Sequence, residues 1–253
     1  MEIIGRGFLA GHLRPLADVH PDVVLLAAGV SAAGDTSQAD FTREVDLVYQ
    51  AVQRCEQSGE RLVFFSTAAT GMYSLPQSGA GREDGPVRPS TPYGRHKLAL
   101  EAAIASSRAD YLILRLAHVV GPLQPPHQLL PSLVRQVAGG SVRIHRGAQR
   151  DVIDVVDVVQ IVDGLLGSGI TREVVNVASG SAVPVEDIVG RIESCLGVRA
   201  EHHFTDGSGA QPVSTEKLAR LVPSVGRMGF GPDYYRDVLD QYVPAYAPAQ
   251  LQH

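Results

Sequence analysis

Tyr93 and Lys97 are the residues of this sequence whose types and spacing most directly promise chemistry. They lie in Pro89-Ser90-Thr91-Pro92-Tyr93-Gly94-Arg95-His96-Lys97, four positions apart, so on a helix they share one face a turn apart. Ser90 or Thr91 can cap that helix, with Pro92 in its first turn. An ammonium beside a phenol favours the phenolate and lowers the ordinary tyrosine pKa of about 10. A displacement of three pH units is worth about 4 kcal/mol, enough to make Tyr93 a working acid or base near neutrality. With eight tyrosines and two lysines (Lys97 and Lys217) in 253 residues, the pairing is informative. Its plain alternative is a surface tyrosine packed on a lysine stem.

Two further segments carry polar groups to places where chemistry can use them. Leu62-Val63-Phe64-Phe65-Ser66-Thr67 is an apolar run ending in hydroxyls, and the carboxyl ends of strands are where doubly wound sheets bind ligands. Thr67 is the expected donor to a substrate carbonyl oxygen, with Ser66 its competitor and a simple turn cap the plain alternative. Ile3-Ile4-Gly5-Arg6-Gly7-Phe8-Leu9-Ala10 reads as GxGxxA between a strand and a helix. Gly5 would permit the tight turn, Gly7 the close approach of a diphosphate, and Phe8 and Leu9 open the helix that faces it. A glycine turn that serves packing alone is the competing reading.

These residues need a scaffold, and the periodicity supplies one. Strands are expected at Glu2–Ile4, Val23–Ala28, Leu62–Ser66 and Tyr111–Leu116, with weaker ones near Val142–His145 and Val174–Val177. Helices are expected at Phe8–Ala17, Ala39–Gln57, Pro92–Ser106, Leu129–Ala138, Val156–Leu166 and Val185–Leu196. The alternation gives an α/β protein with a mainly parallel, Rossmann-like sheet. The organisation expected is a cofactor domain over 1–120, rejoined by 152–180, a substrate lobe from 121–151 and 181–243, and a flexible tail over 244–253. An acidic or basic residue that would grip an adenosine ribose on a second strand, about 20 residues after the glycines, is missing. Positions 18–22 run directly into Val23-Val24-Leu25-Leu26-Ala27-Ala28-Gly29, so the second and third strands of the usual dinucleotide fold are deleted. The first helix must then either cross over with the rare left hand or change face and lose its phosphate site. The left-handed route is the expected one.

Composition excludes several classes. Hydrophobic residues make 44% and charged ones 19% of the chain, enough for a real core. Lys plus Arg number 22 against 27 Asp plus Glu, a net charge of −5 that argues against a nucleic-acid or anionic-membrane binder. No apolar run reaches the roughly 20 residues of a membrane span, and the amino terminus lacks a charged signal-peptide start. Cys55 and Cys195 have neither metal-ligand nor disulfide-scaffold spacing. A cytoplasmic globular enzyme without a metal site is the expectation.

In order along the chain, GxGxxA, DVVLLAA, VFFST, EDGPVRPSTPYGRHK, LRLAHVVGP, QLLP, RDVIDVVDVV and VVNVASG resemble the extended short-chain dehydrogenase/reductases. These form the NAD-dependent epimerase/dehydratase family of nucleotide-sugar enzymes, and the style is nearest to dTDP-4-keto-6-deoxysugar reductases. The resemblance implies NAD or NADP as cofactor, Tyr93 as proton donor or acceptor, Lys97 as its partner and ribose anchor, and Thr67 as the carbonyl-orienting hydroxyl. It further implies that Ala27 and Ala28 line the cofactor cleft and that Arg150 holds a nucleotide-sugar diphosphate, a task suited to a guanidinium. An Arg150–Asp151 turn ion pair is the competing reading. Gln128 stands where an Asn often contacts the same diphosphate, and His118 replaces a common Asn beside nicotinamide and substrate. Three features depart from the family: the truncated adenosine site, Glu44 where Asn is usual, and no obvious arginine around Gln211-Pro212-Val213.

The function expected is therefore NAD(P)H-dependent reduction of a keto-deoxysugar nucleotide by a homodimer paired through the helices at Ala39–Gln57 and Pro92–Ser106. A nucleotide-sugar epimerase with retained NAD uses the same residues. Dehydration is disfavoured because Ala68-Ala69-Thr70-Gly71 offers no carboxylate. A different class stays open: a non-redox enzyme or binding module, taking a polyketide-like substrate, on a degenerate scaffold.

Overall fold

The computed structural model describes residues 1–30, 37–69, 72–73, 81–206 and 212–248. In chain order the elements are β1 (Glu2–Ile4), α1 (Phe8–Leu13), β2 (Val23–Leu26), α2 (Gln38–Ser58), β3 (Arg61–Thr67), α3 (Pro92–Ala105), β4 (Tyr111–Leu116) and β5 (His118–Val120). There follow α4 (Leu129–Ala138), β6 (Ser141–His145), β7 (Gln149–Asp154), α5 (Val155–Gly167), β8 (Glu173–Val177), β9 (Ala182–Pro184), α6 (Val185–Leu196), β10 (Glu201–Thr205), α7 (Glu216–Leu221) and α8 (Tyr234–Tyr246).

The main sheet is wholly parallel in the order β1-β2-β3-β4-β8. Its inner strands are apolar on both faces because both are covered. Leu25, Val63, Leu112 and Leu114 turn toward α1 and α5, whereas Val24, Leu62, Phe64 and Ile113 turn toward α2 and α3. Period-two alternation thus divides one continuous apolar run between two cores.

This division resolves the topology of the first crossover. The steps β1 to β2, β2 to β3 and β3 to β4 all run the same way across the sheet, yet α1 packs with α5 on the face opposite α2 and α3. The first crossover therefore has the opposite hand to the next two, and is left-handed where they take the usual right hand. Keeping α1 on that face leaves its first turn at the carboxyl edge of the sheet, and β1 becomes the sheet's edge strand.

Most of the rest of the chain builds a second core from α4, β6, α6 and α8, whereas Val213, Leu218, Val222 and Val225, expected in the substrate lobe, pack into the first core. Next to it lie a three-stranded sheet, β5-β7-β9, and the pair β10-β6. Short strands with few apolar residues escaped the periodicity reading: β5, β7, β9 and β10 were not expected. The flexible tail needs correction. Rather than fraying from 244, α8 runs through Tyr246, Ala247 is buried, and the Tyr246 hydroxyl donates to Gly121 O (2.6 Å) and accepts from Gln124 N (2.7 Å). Aromatic anchors docked on a distant loop hold these residues, and a local pattern cannot reveal them. Residues 249–253, like Gln211, Thr70 and Gly71, lie outside the described residues. Among the described residues no helix is long and apolar enough to cross a membrane, and no cluster of potential metal ligands occurs.

Candidate active site

Helix α3 starts where its sequence dictates. Thr91, not Ser90, is the N-cap: its hydroxyl accepts from Gly94 N at 3.0 Å, and Pro92 fills the first turn. The face of α3 that buries Leu100 and Ile104 also buries Lys97 and Glu101. A buried charge must find a partner, and both do. Lys97 Nζ donates to Glu44 Oε1 at 2.7 Å and to Phe65 O at 3.1 Å. Glu101 takes a bidentate guanidinium from Arg115 on β4, at 3.0 and 2.7 Å, and the hydroxyl of Ser66. Arg115 also reaches the Tyr73 hydroxyl (2.8 Å), which donates to Asn176 Oδ1 (2.7 Å). This buried network ties α3 to β3, β4 and β8.

Ser66 is thereby withdrawn from competition with Thr67. The Thr67 Oγ1 accepts from Ala69 N at 3.0 Å, which leaves its own proton for donation. Thr67, Tyr93 and Lys97 line one cleft of about 700 Å³ at the carboxyl edge of the sheet, together with Phe8, Leu9, Ala27, Ala28, His118, Gln128 and Arg150. Of the expected site residues only Gly5 and Gly7 lie outside its wall. Gly5 serves the neighbouring strand: its φ is +144°, and a Cβ there would stand 2.5 Å from Ala27 O. Gly7 is the exposed N-cap of α1.

Electrostatics separates the two walls. On the α3 side, burial pushes the Tyr93 phenol above its ordinary value, Lys97 draws it down, and Glu44 pushes it up again. The expectation of a phenol acidified by a lone ammonium is corrected here, because the ammonium is already paired with a carboxylate. Lys97 Nζ lies 5.7 Å from the Tyr93 ring centroid and 4.9 Å from that of Phe64.

On the opposite wall, Arg150 donates to Gln149 O at 2.8 Å and meets no carboxylate among the described residues. The competing Arg150–Asp151 pair is absent, since Asp151 instead accepts from Ser179 N, Ser179 Oγ and Gly180 N. Burial and the Arg150 charge hold His118 down to about 3, so it is neutral near pH 7, and its Nδ1 is buried without a partner. Gln124 donates to Gln128 Oε1 at 2.7 Å, leaving the Gln128 amino group for a ligand. An unpaired guanidinium, an amide donor and an orphan imidazole nitrogen suit a diphosphate and a sugar hydroxyl. The apolar Phe8, Leu9, Ala27 and Ala28 suit a nicotinamide nucleotide.

Sequence reasoning flagged Glu44 only as a departure from a pattern and overlooked Glu101 and Arg115. The signal for Glu101 was present in the spacing, one turn beyond Lys97 on the same face. The signal for Arg115 was a charge inside the β4 apolar run.

A parallel sheet covered on both faces, with a threonine at a strand end and a Tyr–Lys pair on the next helix, defines a Rossmann-like α/β protein. Residues 12–178 match the model of the NAD dependent epimerase/dehydratase family, and the chain belongs to that family. It is 26% identical over 203 residues to UDP-glucose 4-epimerase of Mycolicibacterium smegmatis, covering 75% of this chain and 64% of that protein. It is 31% identical over 132 residues to dTDP-6-deoxy-L-talose 4-dehydrogenase (NAD(P)(+)) of Kitasatospora kifunensis, covering 47% of this chain and 42% of that protein. The matches thus span less than two thirds of the length of these curated relatives. Among solved structures, RMD from Pseudomonas aeruginosa complexed with NADPH is similar with a TM-score of 0.76 and 19% identity, over 96% of this chain and 97% of that one. The UDP-glucose 4-epimerase of Thermus thermophilus complexed with NAD gives 0.74 and 22%, over 96% and 83%. At these identities the likeness is one of fold.

Proposed function

We propose that the chain is an NAD(P)H-dependent ketoreductase acting on a nucleotide-activated keto-deoxysugar. The observation that carries this reading is the meeting in one cleft of Thr67, Tyr93 and Lys97 on one side with the unpaired Arg150 on the other. A reduced nicotinamide, when bound, supplies the hydride. The Thr67 hydroxyl donates to the carbonyl oxygen and holds it beside Tyr93. Tyr93 gives that oxygen its proton as alkoxide character develops, the stage at which pre-placed donors stabilise most. Lys97 fixes Tyr93 and offers its remaining N–H to a ribose hydroxyl. Arg150 and Gln128 bind the diphosphate of the substrate.

Arg150→Ala tests the substrate class. A hydrogen bond to a charged group is worth about 1.5–3 kcal/mol, so KM for a nucleotide sugar is expected to rise by about 10- to 100-fold with kcat little changed. An unchanged KM removes the diphosphate assignment.

A second reading, epimerisation with retained NAD, draws on the likeness to UDP-glucose 4-epimerase. The truncated edge at β1 favours the reductase, because a dinucleotide with little to grip its adenosine exchanges with solvent. Denatured, purified protein is expected to release no NAD, and NADH or NADPH is expected to bind on titration. Stoichiometric NAD in the denatured sample favours the epimerase, and no binding of either reduced cofactor at millimolar concentration overturns both readings. A homodimer through α2 and α3 is part of this proposal, and the outer faces of these helices carry Tyr49, Ala99 and Ala102 exposed.

A further inference from the structure

We propose that Glu44 is a positioning residue of this site, whose buried carboxylate locks the Lys97 ammonium and cancels its charge beside Tyr93, biasing the tyrosine to its proton-donating form and the site to reduction. The inference rests on the reading of Tyr93 as the proton donor. Glu44 is 1% exposed and opens, at its amino-terminal end, the buried face of α2 that continues through Val48, Ala51, Val52 and Cys55. Both of its oxygens are engaged, Oε1 by Lys97 Nζ at 2.7 Å and Oε2 by His96 Nε2 at 2.9 Å. The backbone makes room for it. Gly29, just beyond β2, has φ +143°, and a Cβ there would stand 2.1 Å from Glu44 Oε1. Nothing larger than glycine fits at 29 while the carboxylate keeps its place.

The consequence follows from charge arithmetic. A lone buried ammonium near a phenol would pull it toward the phenolate, the form that accepts a proton from an alcohol. An ammonium paired at 2.7 Å presents a dipole instead, whose field falls faster with distance, so burial governs the phenol and keeps it protonated.

Among the described residues the other charged or titratable groups around the pair are few. His96 on α3 bonds the far oxygen of Glu44. Arg43 on α2 is exposed and paired with Asp40, and Arg95 on α3 is exposed and turned to Ser90 O. His118, His127 and Arg150 lie along the rest of the cleft wall.

The test is the near-ultraviolet phenolate absorbance of the ligand-free protein against pH, with the Tyr93→Phe trace subtracted to isolate Tyr93. Glu44→Gln keeps the shape and removes the charge, and is expected to move the Tyr93 midpoint down by about one pH unit or more. Glu44→Asp keeps the charge and is expected to leave the midpoint near that of the parent. An unmoved or raised midpoint in folded Glu44→Gln, or a larger fall in Glu44→Asp than in Glu44→Gln, overturns the proposal. Should Glu44→Gln fail to fold, the double variant Glu44→Gln with Lys97→Met leaves no unpaired buried charge. Its midpoint is expected close to the parent's if the two charges cancel, and well above it if Lys97 alone acts. The readout needs no substrate, so the two readings fail separately. Expected midpoints with no reductase activity sink the functional reading alone. An unmoved midpoint in an active reductase sinks the Glu44 proposal alone.

Discussion

Tyr93→Phe is expected to lower turnover by about 10²- to 10⁴-fold, the usual worth of a positioned proton donor, while reduced-cofactor affinity stays within about twofold. The substitution removes one oxygen and leaves the ring beside Lys97. The Tyr93 hydroxyl has no hydrogen-bond partner among the described residues, so its loss orphans no buried group and the fold should persist. Single-turnover reduction with parallel cofactor titration checks both parts. Full activity in Tyr93→Phe would remove the acid from the mechanism. Lys97→Ala is the less clean probe. It strips Glu44 of its ammonium, so weakened cofactor binding would be mixed with the cost of a buried, half-satisfied carboxylate.

The second large effect concerns stability. Arg115 and Glu101 are each 5% exposed and joined by a bidentate contact. Removing one partner leaves the other as an uncompensated buried charge, at a cost of about 3–5 kcal/mol. Glu101→Ala or Arg115→Ala should therefore lower Tm by on the order of 10 °C for a chain of this length. Replacing both by Met should recover most of the loss, because no unpaired charge then remains. Thermal melts of the three variants decide it, and a loss below about 1 kcal/mol in both single variants would contradict the burial argument. The network touches function by position. Ser66, which it engages, precedes Thr67, and Glu101 lies one turn beyond Lys97, so a loosened α3 would also displace Thr67, Tyr93 and Lys97, the groups of the proposed reaction.

Much of this architecture was legible in the chain. β1, β4, α4 and α6 have the boundaries their periodicity predicts. The GxGxxA turn, the strand-end hydroxyls and the capped Tyr–Lys helix stand at the carboxyl edge of a parallel sheet. The left-handed first crossover followed from the missing strands, since a phosphate-facing α1 beside an adjacent β2 leaves no other route. Less legible were the short strands outside the main sheet and the anchored end of α8. Two or three alternating residues carry too little pattern, and Tyr246 is held by Gly121, 125 positions away.

By itself the sequence determined which groups can move a proton, on which helix face they sit and what caps that helix, because these depend on neighbours within a turn or two. Only the tertiary structure decided the electrical state of the site. Lys97 is paired with a carboxylate 53 residues away, Ser66 is taken by Glu101 from 35 residues away, and Arg150 is left without a counterion among the described residues. A charge's effect on a phenol depends on distance and burial in space, and folding sets both by packing helices whose sequences carry no record of one another's side-chain positions.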